Sequence, residues 1–217
     1  MILAACGLQR EARLIAKAGL VPVIGGGDAE RLGDALELRC GEASAILSIG
    51  LCGALAADLD IGDMVIDAHT AGLNAWLRAA LPQARTGGIA GQDSPAATSD
   101  DKHSLHLATG ALAVDMESHV AARVAMHRGL PFAAIRVVSD DARRTLPPAA
   151  LVGMRPDGGM ALGVVLKSLA RHPAQLPALI RTGIDAERAF RALSGALRAL
   201  EAHGIGFLDP REFPLDL

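Results

Sequence analysis

The chain has 217 residues, and 51% of them are hydrophobic, so it is long enough and apolar enough to bury the core of one domain. A net charge of −3 and only 2% aromatic residues argue against a nucleic-acid partner bound through phosphate contacts or base stacking. The cysteines Cys6, Cys40 and Cys52 show neither paired nor metal-ligand spacing, which predicts reduced thiols and a cytoplasmic location.

Short apolar runs alternate with amphipathic segments along the first half of the chain, which is the pattern of an α/β protein. The pattern predicts strands at 2–7, 21–25, 45–50 and 64–67, and helices at 8–18 and 28–39. Gly19 stands where a helix C-terminus prefers glycine, and Asp28 stands at an N-cap position. The stretch 84–101 is rich in Gly, Ser, Pro, Asp and Thr, and it predicts a long surface loop.

The second half continues the alternation and then becomes helical. It predicts strands at 111–116 and 132–138, and helices at 117–127, 160–171, 176–182 and 185–203. The last helix carries an apolar stripe formed by Ala189, Phe190, Leu193, Leu197 and Leu200. This stripe favours packing on the core over a membrane or partner role. We therefore predict a single domain over 1–217, with C-terminal helices at about 160–204 packed on it.

Three carboxylates follow predicted strands, where parallel-sheet proteins usually place their chemistry. Glu11 lies after the first strand, Glu117 directly after 111–116, and Asp140 just beyond 132–138. Because parallel strands bring their carboxyl ends to one edge of a sheet, these side chains can converge there. Each also has a purely structural interpretation: Glu11 and Glu117 are favourable at helix N-termini, and Asp140 can cap a turn.

The segment 48–53 (SIGLCG) follows a buried strand and predicts a glycine-rich turn that a ligand can approach closely. It does not match GxGxxG, and GxxxxGK[ST] and GxSxG are also missing, which disfavours dinucleotide, triphosphate and serine-hydrolase sites. His103 and His106 are spaced as HxxH in a polar stretch, and they predict surface histidines rather than a metal site.

Segments 113–118 (AVDMES) and 131–140 (PFAAIRVVSD) resemble the paired signature of the nucleoside phosphorylase and nucleosidase superfamily. That signature is a strand ending in Met-Glu, followed by a strand ending in Ser-Asp. Segment 6–11 (CGLQRE) resembles the opening turn of the methylthioadenosine/S-adenosylhomocysteine nucleosidase branch. Segments 48–54 and 61–63 resemble the family's glycine turn and its following strand. The resemblance implies a three-layer αβα fold around a central mixed, mostly parallel twisted sheet.

Weaker similarities at 88–95, 109–111 and 172–177 are closest to the hopanoid-associated phosphorylases. They imply removal of adenine from an adenosyl-hopane, a lipid nucleoside of hopanoid biosynthesis. The resemblance also implies a homo-oligomer, and it leaves a peripheral contact with a lipid substrate open. The longest uncharged apolar run, 43–57, falls short of the ~18 residues that a membrane span requires.

Site roles follow from the resemblance position by position. Asp140 is implied to be the general acid that protonates, or hydrogen-bonds, purine N7 as the base departs. Glu117 and Met116 are implied to bind the ribose hydroxyls, and Glu11 to lie near the nucleophile. Further substrate contacts are implied for Gly50, Gly53, Ser139 and Asp93.

The nucleophile is left open by two departures from the phosphorylase branches. Their phosphate-binding arginines are replaced by Glu11 and Ser48, and Leu51 replaces a small hydroxyl residue. A carboxylate at position 11 suits water activation, whereas Arg10, or an arginine of another subunit, keeps inorganic phosphate open as co-substrate. No cofactor or metal is predicted. The alternative is a catalytically silent nucleoside-binding protein of the same fold.

Overall fold

The computed structural model describes residues 1–153, 155 and 157–209, and its centre is an eight-stranded sheet. The strands are β1 (Ile2–Cys6), β2 (Val21–Ile24), β3 (Ala45–Ala54), β4 (Met64–Ala68), β5 (Arg85–Thr86), β6 (Ile89–Gly91), β7 (Ala113–Asp115) and β8 (Phe132–Asp140). The helices within this described part are α1 (Gln9–Lys17), α2 (Ala29–Arg39), α3 (Ala71–Ala80), α4 (Ser99–Thr109), α5 (Ser118–His127), α6 (Pro148–Leu151), α7 (Leu162–Arg171) and α8 (Leu176–Ala202).

The sheet is mixed and mostly parallel. Its main path runs β2-β1-β3-β8-β4-β5, and β7 pairs with both β3 and β6. The β4–β8 and β3–β7 pairs are antiparallel, whereas the β1–β2, β1–β3, β3–β8, β4–β5 and β6–β7 pairs are parallel. The predicted α/β class with a mixed, mostly parallel sheet is confirmed.

Helices cover both faces of this sheet. Along β1, Ile2, Ala4 and Cys6 pack into a core cluster that also contains side chains of α1, α3 and α8. The alternate residues Leu3 and Ala5 pack into a second cluster with α2 and α5. Because both faces are buried, β1 is a continuous apolar run rather than an alternating one. The result is the predicted three-layer αβα arrangement.

The C-terminal helices differ from the prediction at one point. The segments predicted at 176–182 and 185–203 form one helix, α8, with Pro177 in its first turn. Gly183 lies between the two predicted segments, and the interior of α8 accommodates it at a cost of about 1 kcal/mol. The apolar stripe from Ala189 to Leu200 is buried in the core, as predicted. Among the described residues no helix is both long and apolar enough to cross a membrane. The predicted domain extends to 217, but 210–217 lie outside the described residues.

The predicted surface loop at 84–101 is wrong. The chain forms the short strands β5 and β6 there and then begins α4. Strands of two or three residues are too short to show a period, and the polar residues belong to a helix start. Thr98 accepts a hydrogen bond from Asp101 N, and Asp101 in turn accepts one from Thr98 N. His103 and His106 therefore lie on α4 instead of in a loop.

The predicted glycine turn at 48–53 is also wrong, because β3 continues through it to Ala54. Gly50 and Gly53 are strand residues whose missing side chains leave room for neighbouring groups. The helix caps were predicted correctly: Asp28 accepts from Arg31 N, and Gly19 has a φ of +78° after α1.

Candidate functional site

A cleft of about 180 Å³ opens where the ends of several strands meet. It is lined by the turn between β1 and α1, the second half of β3, the junction of β7 with α5, and the end of β8. β7 runs antiparallel to the end of β3. The junction of β7 with α5 therefore lies beside the second half of β3, at the cleft. Together with Pro95, Ala96 and Leu146, these four segments, which are distant in the sequence, supply the walls.

Most of the predicted site residues meet in this cleft. Its lining includes Glu11, Gly53, Met116, Glu117, Ser139 and Asp140. Gly50 lies beneath the lining, against Glu11 and Arg136. Asp93 is not brought to the cleft: its side chain is 80% exposed, and its Oδ1 lies 2.9 Å from His119 Nε2. Ser139 donates from Oγ to the Cys52 carbonyl at 3.1 Å, which joins β8 to β3 at the cleft.

Glu11 is a buried carboxylate held by backbone amides. Its Oε2 accepts from Gly7 N at 2.9 Å and Leu8 N at 2.8 Å, and its Oε1 accepts from Leu51 N at 2.8 Å. Burial raises the pKa of Glu11, although Arg136 and the three amides act against this shift. Glu11 thus has a fixed orientation in the first turn of α1.

Arg136 is the counter-ion of the cleft, and it was not predicted from the sequence. It lies in β8 with 0% exposure. Its Nη2 donates to Ser48 Oγ at 2.5 Å and forms an ion pair with Asp115. The same nitrogen lies 3.2 Å from Glu117 Oε2. One sequence signal was present, because a lone arginine inside the apolar run of 132–138 must be paired if that run is a central strand.

Glu117 occupies the N-cap position of α5 and points at Arg136. The pKa of Glu117 is raised to about 7, mainly because burial removes the carboxylate from water. Arg136 lowers this pKa, whereas Asp115 and Glu11 raise it further. Glu117 is therefore poised to change charge near neutral pH. Met116 lies beside it in the cleft wall.

Glu117→Gln is expected to remove a pH dependence of stability. The folded protein holds the Glu117 proton with a pKa of about 7, compared with 4.5 as the ordinary value. The proton is bound more tightly in the folded than in the unfolded chain, so the free energy of unfolding falls as pH rises through this interval. Urea titrations across the interval should show a smaller fall for Glu117→Gln. The exposed Glu30→Gln is the control, and equal slopes for all three proteins would contradict the prediction.

Lys102 is a second charged residue of the site that was not predicted from the sequence. It lies on α4, is 0% exposed, and forms an ion pair with Asp140. Its Nζ also donates to the carbonyls of Asp141 at 2.8 Å and Arg144 at 3.1 Å. Each of the three ammonium protons therefore has an acceptor, and Asp140 is held in one position. The polar stretch around Lys102 gave no sign of burial.

Gly50 is required by close packing beneath the cleft. A Cβ at this position would lie 2.6 Å from Glu11 Oε1 and 2.8 Å from Arg136 Nη1. Gly50→Ala must displace one of these groups, and a misplacement of this size is expected to lower kcat/KM about 100-fold. Gly195→Ala on α8 is the control, because nothing lies within 4 Å of its Cβ position and activity should be unchanged. If Gly50→Ala had the same kcat/KM as the parent, the reaction would not depend on the exact positions of Glu11 and Arg136.

Arg10, considered above as a phosphate ligand, faces away from the cleft. Its guanidinium donates to Glu187 on α8 at 2.6 and 2.9 Å. It also lies 4.0 Å from the ring centroid of Phe190. These contacts fix α1 to α8, and Arg10 is not among the residues that line the cleft.

Comparison with known proteins agrees with this fold. The family model of the phosphorylase superfamily matches residues 67–170, which include Asp115, Glu117, Arg136 and Asp140. The chain thus resembles the phosphorylase superfamily over just under half of its length. This match supports the predicted enzyme class, nucleoside phosphorylase or nucleosidase. Comparison with the curated proteins found no match.

Solved structures show the same fold at low sequence identity. The 5′-methylthioadenosine/S-adenosylhomocysteine nucleosidase of Neisseria meningitidis is 15% identical, with a TM-score of 0.67 over 93% of this chain and 98% of that one. The futalosine hydrolase of Helicobacter pylori is 16% identical, with a TM-score of 0.65 over 92% and 96%. The S-adenosylhomocysteine nucleosidase of Streptococcus pyogenes is 18% identical, with a TM-score of 0.60 over 92% and 96%.

Proposed function

We propose that this protein cleaves the N-glycosidic bond of a purine nucleoside, with adenine as the base. The observation that carries the proposal is the convergence of Glu11, Glu117 and Asp140 on one cleft. Burying several carboxylates with their counter-ions costs free energy of folding. Such groups are therefore found mainly where they serve chemistry. The structural likeness to nucleosidases of 5′-methylthioadenosine and S-adenosylhomocysteine favours adenine as the base.

The three carboxylates suit the steps of this reaction. As the bond between C1′ and N9 breaks, its electron pair leaves with the base and positive charge develops on the ribose. Asp140 is proposed to protonate or hydrogen-bond purine N7, which makes the base a better leaving group. Glu117 is proposed to bind the ribose hydroxyls beside Met116. Glu11 is proposed to orient the nucleophile that attacks C1′.

The charges around Glu11 favour water over phosphate as that nucleophile. The cleft wall contains the carboxylates of Glu11, Asp115, Glu117 and Asp140. The nearby cations Arg136 and Lys102 are already paired with three of these groups. Both cations are therefore engaged by carboxylates, and Arg10 is turned away. A phosphate dianion would need such a cation, whereas a neutral water needs none.

The remaining wall of the cleft favours a substrate with an apolar 5′ group. Leu8, Leu51, Pro95, Ala96 and Leu146 line it, and none of them offers a side-chain hydrogen bond to a polar substituent. The subfamily similarities at 88–95 and 172–177 favour one particular substrate, adenosyl-hopane. This would place the protein in hopanoid biosynthesis.

Adenine release is the direct test. Adenosine, 5′-deoxyadenosine, methylthioadenosine and an adenosyl-hopane mimic are each incubated with the protein, with and without phosphate. We expect release without phosphate, and fastest release from the substrates with apolar 5′ groups. Release that requires phosphate and yields a ribose 1-phosphate would overturn the choice of water. Binding of these nucleosides without any release would instead support the silent nucleoside-binding alternative.

A further inference from the structure

The exposed apolar side chains of this protein are concentrated in one part of the chain. Thirteen large apolar residues are exposed among those described, and nine of them lie between residues 151 and 184. The nine are Leu151, Val152, Met160, Leu162, Val164, Leu166, Leu176, Ile180 and Ile184. Single exposed apolar residues are ordinary on a protein surface, whereas nine within one short stretch of the chain make that stretch a candidate interaction surface.

The two helices in this region present these residues in regular order. On α8, Leu176, Ile180 and Ile184 are spaced four residues apart, so they lie along one side of the helix. On α7, Leu162 and Leu166 have the same spacing, and no residue of this helix is buried. The second half of α8, by contrast, buries its own apolar stripe in the core.

The charge of the same region has one sign. From residue 158 to residue 184 the sequence contains no Asp or Glu, and it contains Lys167, Arg171 and Arg181, all of them exposed. Arg181 Nε lies 4.0 Å from Oδ2 of Asp185, the first acidic residue beyond this segment. The whole chain has a net charge of −3, so this segment, at +3, is opposite in sign to the rest. We call α7 and the first half of α8 (162–184), with their apolar and basic side chains, the amphipathic face.

The amphipathic face is attached to the rim of the cleft. The loop that precedes α7 is held by Gln9, whose amide donates to the Gly158 carbonyl at 3.0 Å and whose Nε2 donates to the Asp157 carbonyl at 3.2 Å. Gln9 follows directly on Gly7 and Leu8, which line the cleft. A surface bound to this face would therefore lie next to the cleft.

We propose that the amphipathic face docks on the surface of an anionic lipid bilayer. Helices that carry exposed Leu and Ile together with Lys and Arg lie in the interface of such membranes, where the apolar groups enter the acyl boundary and the cations meet the headgroups. A second copy of the chain fits less well, because a symmetric contact would bring three cations of one copy against three of the other. This inference stands independently of the reaction proposed for the cleft.

The test is co-sedimentation of the full chain with vesicles of phosphatidylcholine alone or of phosphatidylcholine mixed with phosphatidylglycerol. We expect binding to the anionic vesicles that weakens as salt is added, and little binding to the neutral ones. Replacing Lys167, Arg171 and Arg181 with Gln should lower the partition coefficient about fivefold per cation. The Leu166→Ser/Ile180→Ser variant should lower it at least about tenfold.

A matched control separates this face from exposed apolar surface in general. Leu38 and Met126, on α2 and α5, are 87% and 77% exposed, and Leu38→Ser/Met126→Ser should bind vesicles like the parent. The proposal is overturned if the parent binds neither vesicle, or if the control loses as much binding as Leu166→Ser/Ile180→Ser. It is also overturned if light scattering shows a dimer that Leu166→Ser/Ile180→Ser dissociates while vesicle binding is absent.

Discussion

Replacing Asp140 with Asn is expected to lower kcat for adenine release by about 10²–10⁴-fold. Asn keeps the shape of the side chain and an oxygen that Lys102 can contact, but it cannot carry a proton to N7. The loss should be much smaller for a nitrophenyl riboside, because that leaving group departs without protonation. Steady-state kinetics with both kinds of substrate on the same folded preparation therefore separate acid catalysis from a general disturbance of the cleft.

Asp93→Asn is the control for this experiment. Asp93 was also predicted as a site residue, but the structure places it on the exposed contact with His119. Its substitution should leave kcat within about twofold of the parent, since exposed ion pairs contribute little. An equal loss for Asp93→Asn, or an Asp140→Asn variant as active as the parent, would remove Asp140 from the proposed mechanism.

Replacing Lys102 with Met is expected to destabilise the fold by about 3–5 kcal/mol. The substitution leaves Asp140 as a buried carboxylate without its counter-ion, and the carbonyls of Asp141 and Arg144 without a donor. Urea unfolding measures the loss directly. The exposed Lys17→Met on α1 is the control, and its stability should stay within about 0.5 kcal/mol of the parent.

The double variant Lys102→Met/Asp140→Asn tests whether the loss of stability comes from the Lys102–Asp140 ion pair. Once Asp140 is neutral, the missing ammonium no longer leaves a buried charge unpaired, so part of the stability should return. A coupling free energy above about 1 kcal/mol in the double-mutant cycle is expected for groups in direct contact. Additive losses in the cycle would show that Lys102 stabilises α4 without acting through Asp140.

The residues that begin or end regular elements were predictable from the sequence. Glu11, Glu117 and Asp140 follow strands that the hydrophobic pattern marks clearly, and the structure brings all three to one cleft. The family resemblance supplied their expected roles, because periodicity alone equally allows caps and turns. Asp93 shows the limit of that transfer, since a match in sequence did not place it in the cleft.

The counter-ions were not predictable in the same way. Lys102 lies in a polar stretch whose composition indicates solvent exposure, but it is buried against Asp140 and the carbonyls of Asp141 and Arg144. β5 and β6 were missed because two or three residues cannot show a period. The extension of β3 through Gly50 and Gly53 was missed because glycine usually signals a turn, whereas here it makes room for Glu11 and Asp140.

The position of β8 has a consequence for the synthesis of this protein. β3 and β4 are neighbours in the sequence but do not pair, because β8 fills the space between them. Until residue 140 has left the ribosome, both strands have an unpaired apolar edge, which is a template for pairing with other chains. The nascent chain is therefore expected to need protection from a chaperone until β8 has emerged, and proteins truncated before residue 132 are expected to aggregate.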